Sequence, residues 1–240
     1  MKKTEIATEV PVVTVITPTT GKKSLFNLIE TITRQNVSVN HILLWDDKSD
    51  DSFKDKSPDF LDKKEYGDLY GYSVNNIVLK GKRTNGGATG SALRSVGLMA
   101  ANTEWVTFAD DDVMWEDGHL ISLLQKTEDK NWGFCKRKIW METEDMYELI
   151  GIDEFESVGE KAKTDYKMVD NNCMIFRRKF GAAAACLYRE TKEYNDDRLM
   201  YAFLMEYAGE PGITDLATIN QVCPNKLIQF FKQNCTKIKS

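Results

Sequence analysis

Two short apolar runs, residues 41–45 (HILLW) and 105–108 (WVTF), stop abruptly at aspartates: Asp46-Asp47 after the first, Asp110-Asp111-Asp112 just beyond the second. Short runs rich in branched and aromatic residues read as strands buried on both faces. A similar run at residues 12–16 (VVTVI) is halted by Thr17-Pro18-Thr19-Thr20-Gly21. Between it and residues 41–45, Leu25, Leu28, Ile29 and Ile32 recur at helical spacing, with Ser24 placed to cap the helix. Strand, helix and strand in succession make a βαβ unit, which dictates parallel pairing and a right-handed crossover. Ligands of an open parallel sheet gather at the carboxyl ends of its strands, so both acidic clusters belong on one rim.

The pattern continues beyond a charged surface insertion at residues 52–72. A strand is read at 76–80, a Gly- and Thr-rich loop at 81–90, and a small-residue helix at 91–101. The second half is less regular. It gives a helix from residue 119, a strand at 133–140, an acidic loop-rich stretch at 145–163 and a strand at 168–176 ending in Arg177-Arg178-Lys179. An amphipathic helix follows at 197–207, with Leu199, Ala202, Phe203, Met205 and Tyr207 as its buried positions, and a helix or tail at 223–239.

Carboxylates crowded on one rim repel one another unless something positive sits among them. A divalent cation such as Mg²⁺ or Mn²⁺ answers this with few protein ligands, leaving room for waters and phosphate oxygens. The alternative is that aspartates after a strand cap helices or form solvated turns. The net charge of −5 argues against a nucleic-acid partner, which demands clustered Lys and Arg. The first ten residues carry Lys2, Lys3, Glu5 and Glu9 without an apolar core, and no apolar run approaches membrane-spanning length. Five widely spaced cysteines, with no CxxC, read as free thiols of a cytoplasmic protein.

The order of these motifs resembles the family 2 glycosyltransferases, which have the GT-A fold. That order is Thr-Pro-Thr at 17–19, Asp-Asp-x-Ser-x-Asp at 46–51, Asn-Gly-Gly at 85–87, a helix carrying Arg94, and Asp-x-Asp at 110–112. The resemblance implies an α/β chain with a GT-A type nucleotide-binding domain, its mostly parallel central sheet flanked by helices. It implies one domain over 1–240, with 12–118 binding the nucleotide sugar and 119–240 facing the acceptor. Thr17, Pro18 and Thr19 would line the nucleotide pocket, and Asp46, beside Asp47, would receive the base. Gly87 would admit the donor closely, Arg94 would lie near the diphosphate or ribose, and Asp110 and Asp111 would face the ribose or sugar. Asp112, with Asp110, would hold the metal, Mn²⁺ or Mg²⁺. The acidic pair opening the late helix, Asp196-Asp197, would supply the general base on Asp197, with Asp196 as the alternative.

The implied reaction is inverting transfer of a sugar, from a nucleotide diphosphate donor such as a UDP-sugar, to a hydroxyl of a glycan or glycoconjugate. The family's late metal-binding His has no counterpart, since His41 and His119 are the only histidines. A sugar-1-phosphate nucleotidyltransferase would carry a Gly-rich loop with Arg and Lys after the first strand, where Thr17-Pro18-Thr19-Thr20-Gly21-Lys22-Lys23 stands. A non-catalytic nucleotide-sugar or glycan-binding module would keep the pocket and lack the base. Trp115, Trp132 and Trp140 are candidates either for stacking on a sugar or for the core.

Overall fold

A computed structural model describes residues 12–46, 72–79, 90–144, 146–153, 169–188 and 196–237. Strands β1 (Val12–Thr19), β2 (Ser38–Asp46), β3 (Tyr72–Leu79), β4 (Trp105–Phe108), β5 (Val113–Trp115), β6 (Trp132–Glu142), β7 (Tyr147–Asp153), β8 (Met174–Arg177) and β9 (Gly212–Val222) form one sheet. Its order is β3-β2-β1-β4-β8-β6-β9-β5, with β7 added to β6. Helices α1 (Ser24–Thr33), α2 (Ser91–Ala100), α3 (His119–Lys126), α4 (Arg178–Ala184), α5 (Asp196–Tyr207) and α6 (Ile228–Asn234) flank it.

The first four strands of the path, β3, β2, β1 and β4, are all parallel, as the βαβ reading requires. Beyond them the sheet is mixed. β8 runs antiparallel to both β4 and β6, β7 antiparallel to β6 and β5 antiparallel to β9, while β6 and β9 are parallel. The mostly parallel character therefore belongs to the first half of the chain. Reversal at β8 has a use: Thr107 pairs with Ile175, so the residues preceding β8 arrive on the rim where β4 ends.

β1 is buried along residues 13–19, which suits the centre of a covered parallel sheet. Leu25, Leu28, Ile29 and Ile32 of α1 join the same core as Val13, Val15, Ile16, Phe108 and Phe176. Gly97 lets α2 press onto β1, for a Cβ there would stand 2.4 Å from Ile16 Cγ2. His41, fully buried, links three strands: its Nε2 lies 2.8 Å from Thr17 Oγ1 and its Nδ1 2.8 Å from Tyr72 Oη. Burial pushes its pKa down to about 3, so this imidazole is neutral.

Several sequence expectations change. Ser24 opens α1 as its first residue, and Lys23 occupies the cap position with no side-chain cap bond. Residues 171–173 form a 3₁₀ turn, so β8 starts only at Met174. In α5 the fully buried apolar residues are Met200 and Leu204, and Phe203 and Met205 pack partly buried against the core as expected, whereas Leu199, Ala202 and Tyr207 are exposed. The helix thus presents a face rotated from the one its apolar residues suggest, because its first turn is held inward by a carboxylate rather than by an apolar contact. The acidic stretch contains β7, and β9 lies in a segment with no clear strand pattern. Trp115 and Trp132 are core residues, and the Trp140 indole donates to Asn220 Oδ1 at 2.9 Å. Cys135, Cys173 and Cys223 are buried and in no disulfide among the described residues, while Cys186 is exposed. No helix among the described residues is long and apolar enough to cross a membrane.

Candidate active site

A cavity of about 350 Å³ opens on the rim where β1 and β4 end. Pro18, Thr19, Thr20 and Lys22 line it from the β1–α1 turn, Gly90, Leu93 and Arg94 from the start of α2, and Asp110, Asp111 and Asp112 from the end of β4. Asp170 and Asn171 come from the approach to β8, and Asp196 and Asp197 from the first turn of α5. Six carboxylates thus face two cations, Lys22 and Arg94, among the described lining residues.

Each aspartate of the β4 triplet has its own partners. Asp110 is ion-paired through Oδ1 with Arg94 and accepts from Asn172 Nδ2 on Oδ2 at 3.1 Å. Its backbone N–H donates to Asn172 Oδ1 at 2.6 Å. Burial alone would raise its pKa, but the Arg94 guanidinium and the Asn172 hydrogen bond outweigh burial and lower it. Asp111 is buried, accepts from Thr19 Oγ1 at 2.7 Å and pairs with Lys22 Nζ at 3.0 Å. Asp112 is half exposed, and Lys22 Nζ reaches its Oδ2 at 3.2 Å. Burial, and then the like charge of Asp110, raise the Asp112 pKa.

Arg94 is fixed by its surroundings. Its guanidinium stands 5.9 Å from the Phe108 ring centroid, and Gly90 makes room for it, since a Cβ there would lie 2.6 Å from Nη1. Burial opposes its charge, yet Asp110 and then Asp197 outweigh burial and raise its pKa. Its Nε is buried with no partner among the described residues.

The two carboxylates of α5 differ in kind. Asp196 is buried and accepts from Ser91 Oγ on Oδ2, while its Oδ1 has no partner among the described residues. Burial raises its pKa. Asp197 is partly open to the cavity, yet its carboxyl is pushed up to about 8, first by burial and then by the like charge of Asp170. A carboxyl with that affinity for protons at neutral pH is suited to proton transfer.

Behind the cavity a buried charge cluster fixes its floor. Arg137 donates from Nε and Nη2 to Asp153 Oδ2, each at 2.8 Å, and pairs through Nη1 with Asp170. Asp170 Oδ1 accepts from Asn172 Nδ2 at 2.8 Å and from the Asn172 backbone N–H at 2.9 Å. Asn172 therefore ties the Arg137–Asp170 pair to Asp110, across 62 residues of sequence.

Of the residues singled out in the sequence, Pro18, Thr19, Arg94, Asp110, Asp111, Asp112, Asp196 and Asp197 come together on this cavity. Thr17 is not among the lining residues: β1 turns its hydroxyl inward, where His41 takes it. Asp46 ends β2 level with Leu79 on the same rim, and Asp47 and Gly87 lie outside the described residues. Trp115, Trp132 and Trp140 are not among the lining residues either. Lys22, Ser91, Asp170 and Asn172 went unrecognised, although the turn-forming run Asp170-Asn171-Asn172 before an apolar strand was a visible signal.

A divalent cation fits this chemistry. The donors are hard carboxylate oxygens, which suit Mg²⁺ or Mn²⁺. Both oxygens of Asp110 and of Asp111 are engaged, whereas only Lys22 contacts Asp112 among the described residues. Burial and the neighbouring charge of Asp110 raise the Asp112 pKa against the opposing charge of Lys22. No three of these or other such side chains are placed to hold one ion together among the described residues, so phosphate oxygens and water would have to complete the shell.

The sequence model of glycosyl transferase family 2 matches residues 14–181, which take in the βαβ unit, the Asp110–Asp112 triplet and β8. The chain belongs to this family. Solved structures of S. aureus TarS share the fold. The 1–349 fragment in complex with UDP-GlcNAc has a TM-score of 0.61 at 15% identity, over 90% of this chain and 59% of that one. The same fragment without a named ligand gives 0.63 at 17% identity, over 94% and 66%. Its UDP complex gives 0.56 at 16%, over 94% and 67%. The chain thus spans about three fifths to two thirds of the length of those fragments. No curated protein matches the sequence.

Proposed function

We propose that this chain is an inverting glycosyltransferase that moves a sugar from a nucleoside diphosphate donor, UDP foremost, to a hydroxyl of a glycan or glycoconjugate. One observation carries the reading: Asp112, half exposed and held only by Lys22 among the described residues, and Asp197, with a carboxyl that binds protons up to about 8, line one cavity from separate elements. The family membership and the UDP and UDP-GlcNAc complexes of the structurally similar TarS support the choice of donor. The chain works as one domain, with residues 12–118 binding the donor and 119–240 facing the acceptor.

Asp112 would hold a divalent cation, whereas Asp110 is engaged by Arg94. Such a cation, Mn²⁺ or Mg²⁺, would supply positive charge against the departing diphosphate. Asp197 takes the proton from the acceptor hydroxyl as its oxygen bonds to the anomeric carbon. The bond from that carbon to the diphosphate oxygen breaks on the opposite face. Arg94 and Asp196 line the same cavity and place a cation and a carboxylate beside the bound substrate.

A thermal-shift panel of nucleoside diphosphates and their sugars, with and without Mn²⁺, tests the reading. A ligand that binds the native state alone raises the melting temperature by mass action. UDP is expected to stabilise the protein only with metal, and Asp112→Ala to abolish the shift. A panel in which no nucleotide shifts the protein, with or without metal, sinks the proposal.

A further inference from the structure

Lys22 occupies a position that the donor chemistry has to contend with. It follows Gly21, whose φ of 84° swings the chain back over the rim, and whose N–H donates to Thr19 Oγ1 at 2.9 Å. From that turn the ammonium reaches Asp111 Oδ1 at 3.0 Å and Asp112 Oδ2 at 3.2 Å. A single cation bridging carboxylates of adjacent residues stands where a divalent ion would stand. Lys22 and Arg94 are the only cations among the described lining residues, and they differ in freedom. Arg94 is 13% exposed, boxed in by Gly90 and Phe108 and spent on Asp110. Lys22 is 53% exposed, on a flexible four-carbon stem with solvent beside it.

The carboxylates it bridges are unequal. Asp111 is anchored from behind by Thr19 and cannot follow a moving partner. Asp112 is half exposed and has no other contact among the described residues. A cation that takes Asp112 therefore displaces the ammonium without dismantling the rim. The freed ammonium is then close to the oxygens that this cation would share with Asp112.

Resting on the donor reading above, we infer that Lys22 is a tethered counter-ion. It neutralises Asp111 and Asp112 while the cavity is empty, competes with the divalent cation for Asp112, and passes to a diphosphate oxygen once that cation has bound. Lysine then opposes metal binding to the free protein and favours nucleotide binding to the metal-loaded protein.

The test is Lys22→Met, which keeps the stem and removes the charge, beside Lys22→Arg, which keeps the charge. Mn²⁺ binding to the nucleotide-free protein is followed by the loss of the free-ion electron paramagnetic resonance signal. UDP binding at saturating Mn²⁺ is followed by calorimetry. In Lys22→Met, Mn²⁺ affinity is expected to rise roughly fivefold, the size of one partly exposed ion pair, and UDP affinity to fall by a similar factor. Lys22→Arg is expected to keep Mn²⁺ affinity near wild type. Should both affinities of Lys22→Met match wild type, or move in the same direction, the counter-ion role is refuted while the donor reading stands. Wild-type protein that binds neither Mn²⁺ nor UDP removes both.

Discussion

Asp197→Asn should make the empty protein more stable, and increasingly so as pH rises from 5 to 7. The native carboxyl keeps its proton up to about 8, while in the unfolded chain it loses it near 3.8. A carboxyl whose pKa is raised on folding costs stability above its unfolded pKa. The cost grows with pH until the folded pKa is reached and is flat beyond it. Each pH unit in that window costs about 1.4 kcal/mol, so the two units from pH 5 to 7 give a ceiling of about 2.7 kcal/mol. Because the carboxyl opens partly to the cavity, solvent screening reduces this to roughly 1–2 kcal/mol. His41 acts in the opposite sense: neutral down to about 3, it withdraws stability as pH falls below about 6.5. That slope is common to both proteins, so the measured quantity is the difference between variant and wild type. Urea unfolding at pH 5, 6, 7 and 8.5, without metal or nucleotide, gives it directly. A difference that stays constant from pH 5 to 7 means that the carboxyl is ionised throughout, and the argument for its proton affinity fails.

Arg137→Met leaves the buried Asp153 and the part-buried Asp170 without their shared cation, and should cost about 3–5 kcal/mol in urea unfolding at pH 7; a loss under 1 kcal/mol would mean that the cluster relaxes freely. Gly90→Ala drives a methyl to within 2.6 Å of the Arg94 guanidinium. The Mn²⁺-dependent UDP shift should shrink while urea stability changes far less than in Arg137→Met, and an unaltered shift would remove Arg94 from the donor site.

The first half of the fold was readable because its strands are buried on both faces and leave uninterrupted apolar runs. Trp105–Phe108 needed no revision at either end. The acidic rim was readable for the same reason, since parallel strands deliver their carboxyl ends to one edge. β9 was not readable: its burial along 212–222 mixes buried, exposed and half-buried positions, and no simple period survives in the sequence. The face of α5 was misjudged because Asp196 turns inward to Ser91, a contact 105 residues away that apolar periodicity cannot register. Lys22 and Asn172 were missed because their partners, Asp112 and Asp110, lie 90 and 62 residues distant. The charge balance of the cavity is a tertiary property, whereas the supply of carboxylates to it is a local one.

β5 begins one residue after Asp112, and its ladder partner is β9, near the far end of the chain. During synthesis the segment after the triplet thus waits for about a hundred further residues before it can pair, a long loop to close before any reward. Until then β4 fixes the triplet from one side only. The nascent chain can complete its parallel layers while the loop that carries Asp112 is still free to wander. Assembly of the cavity is therefore a late event of folding, and slow variants should be sought in β9 rather than among the aspartates.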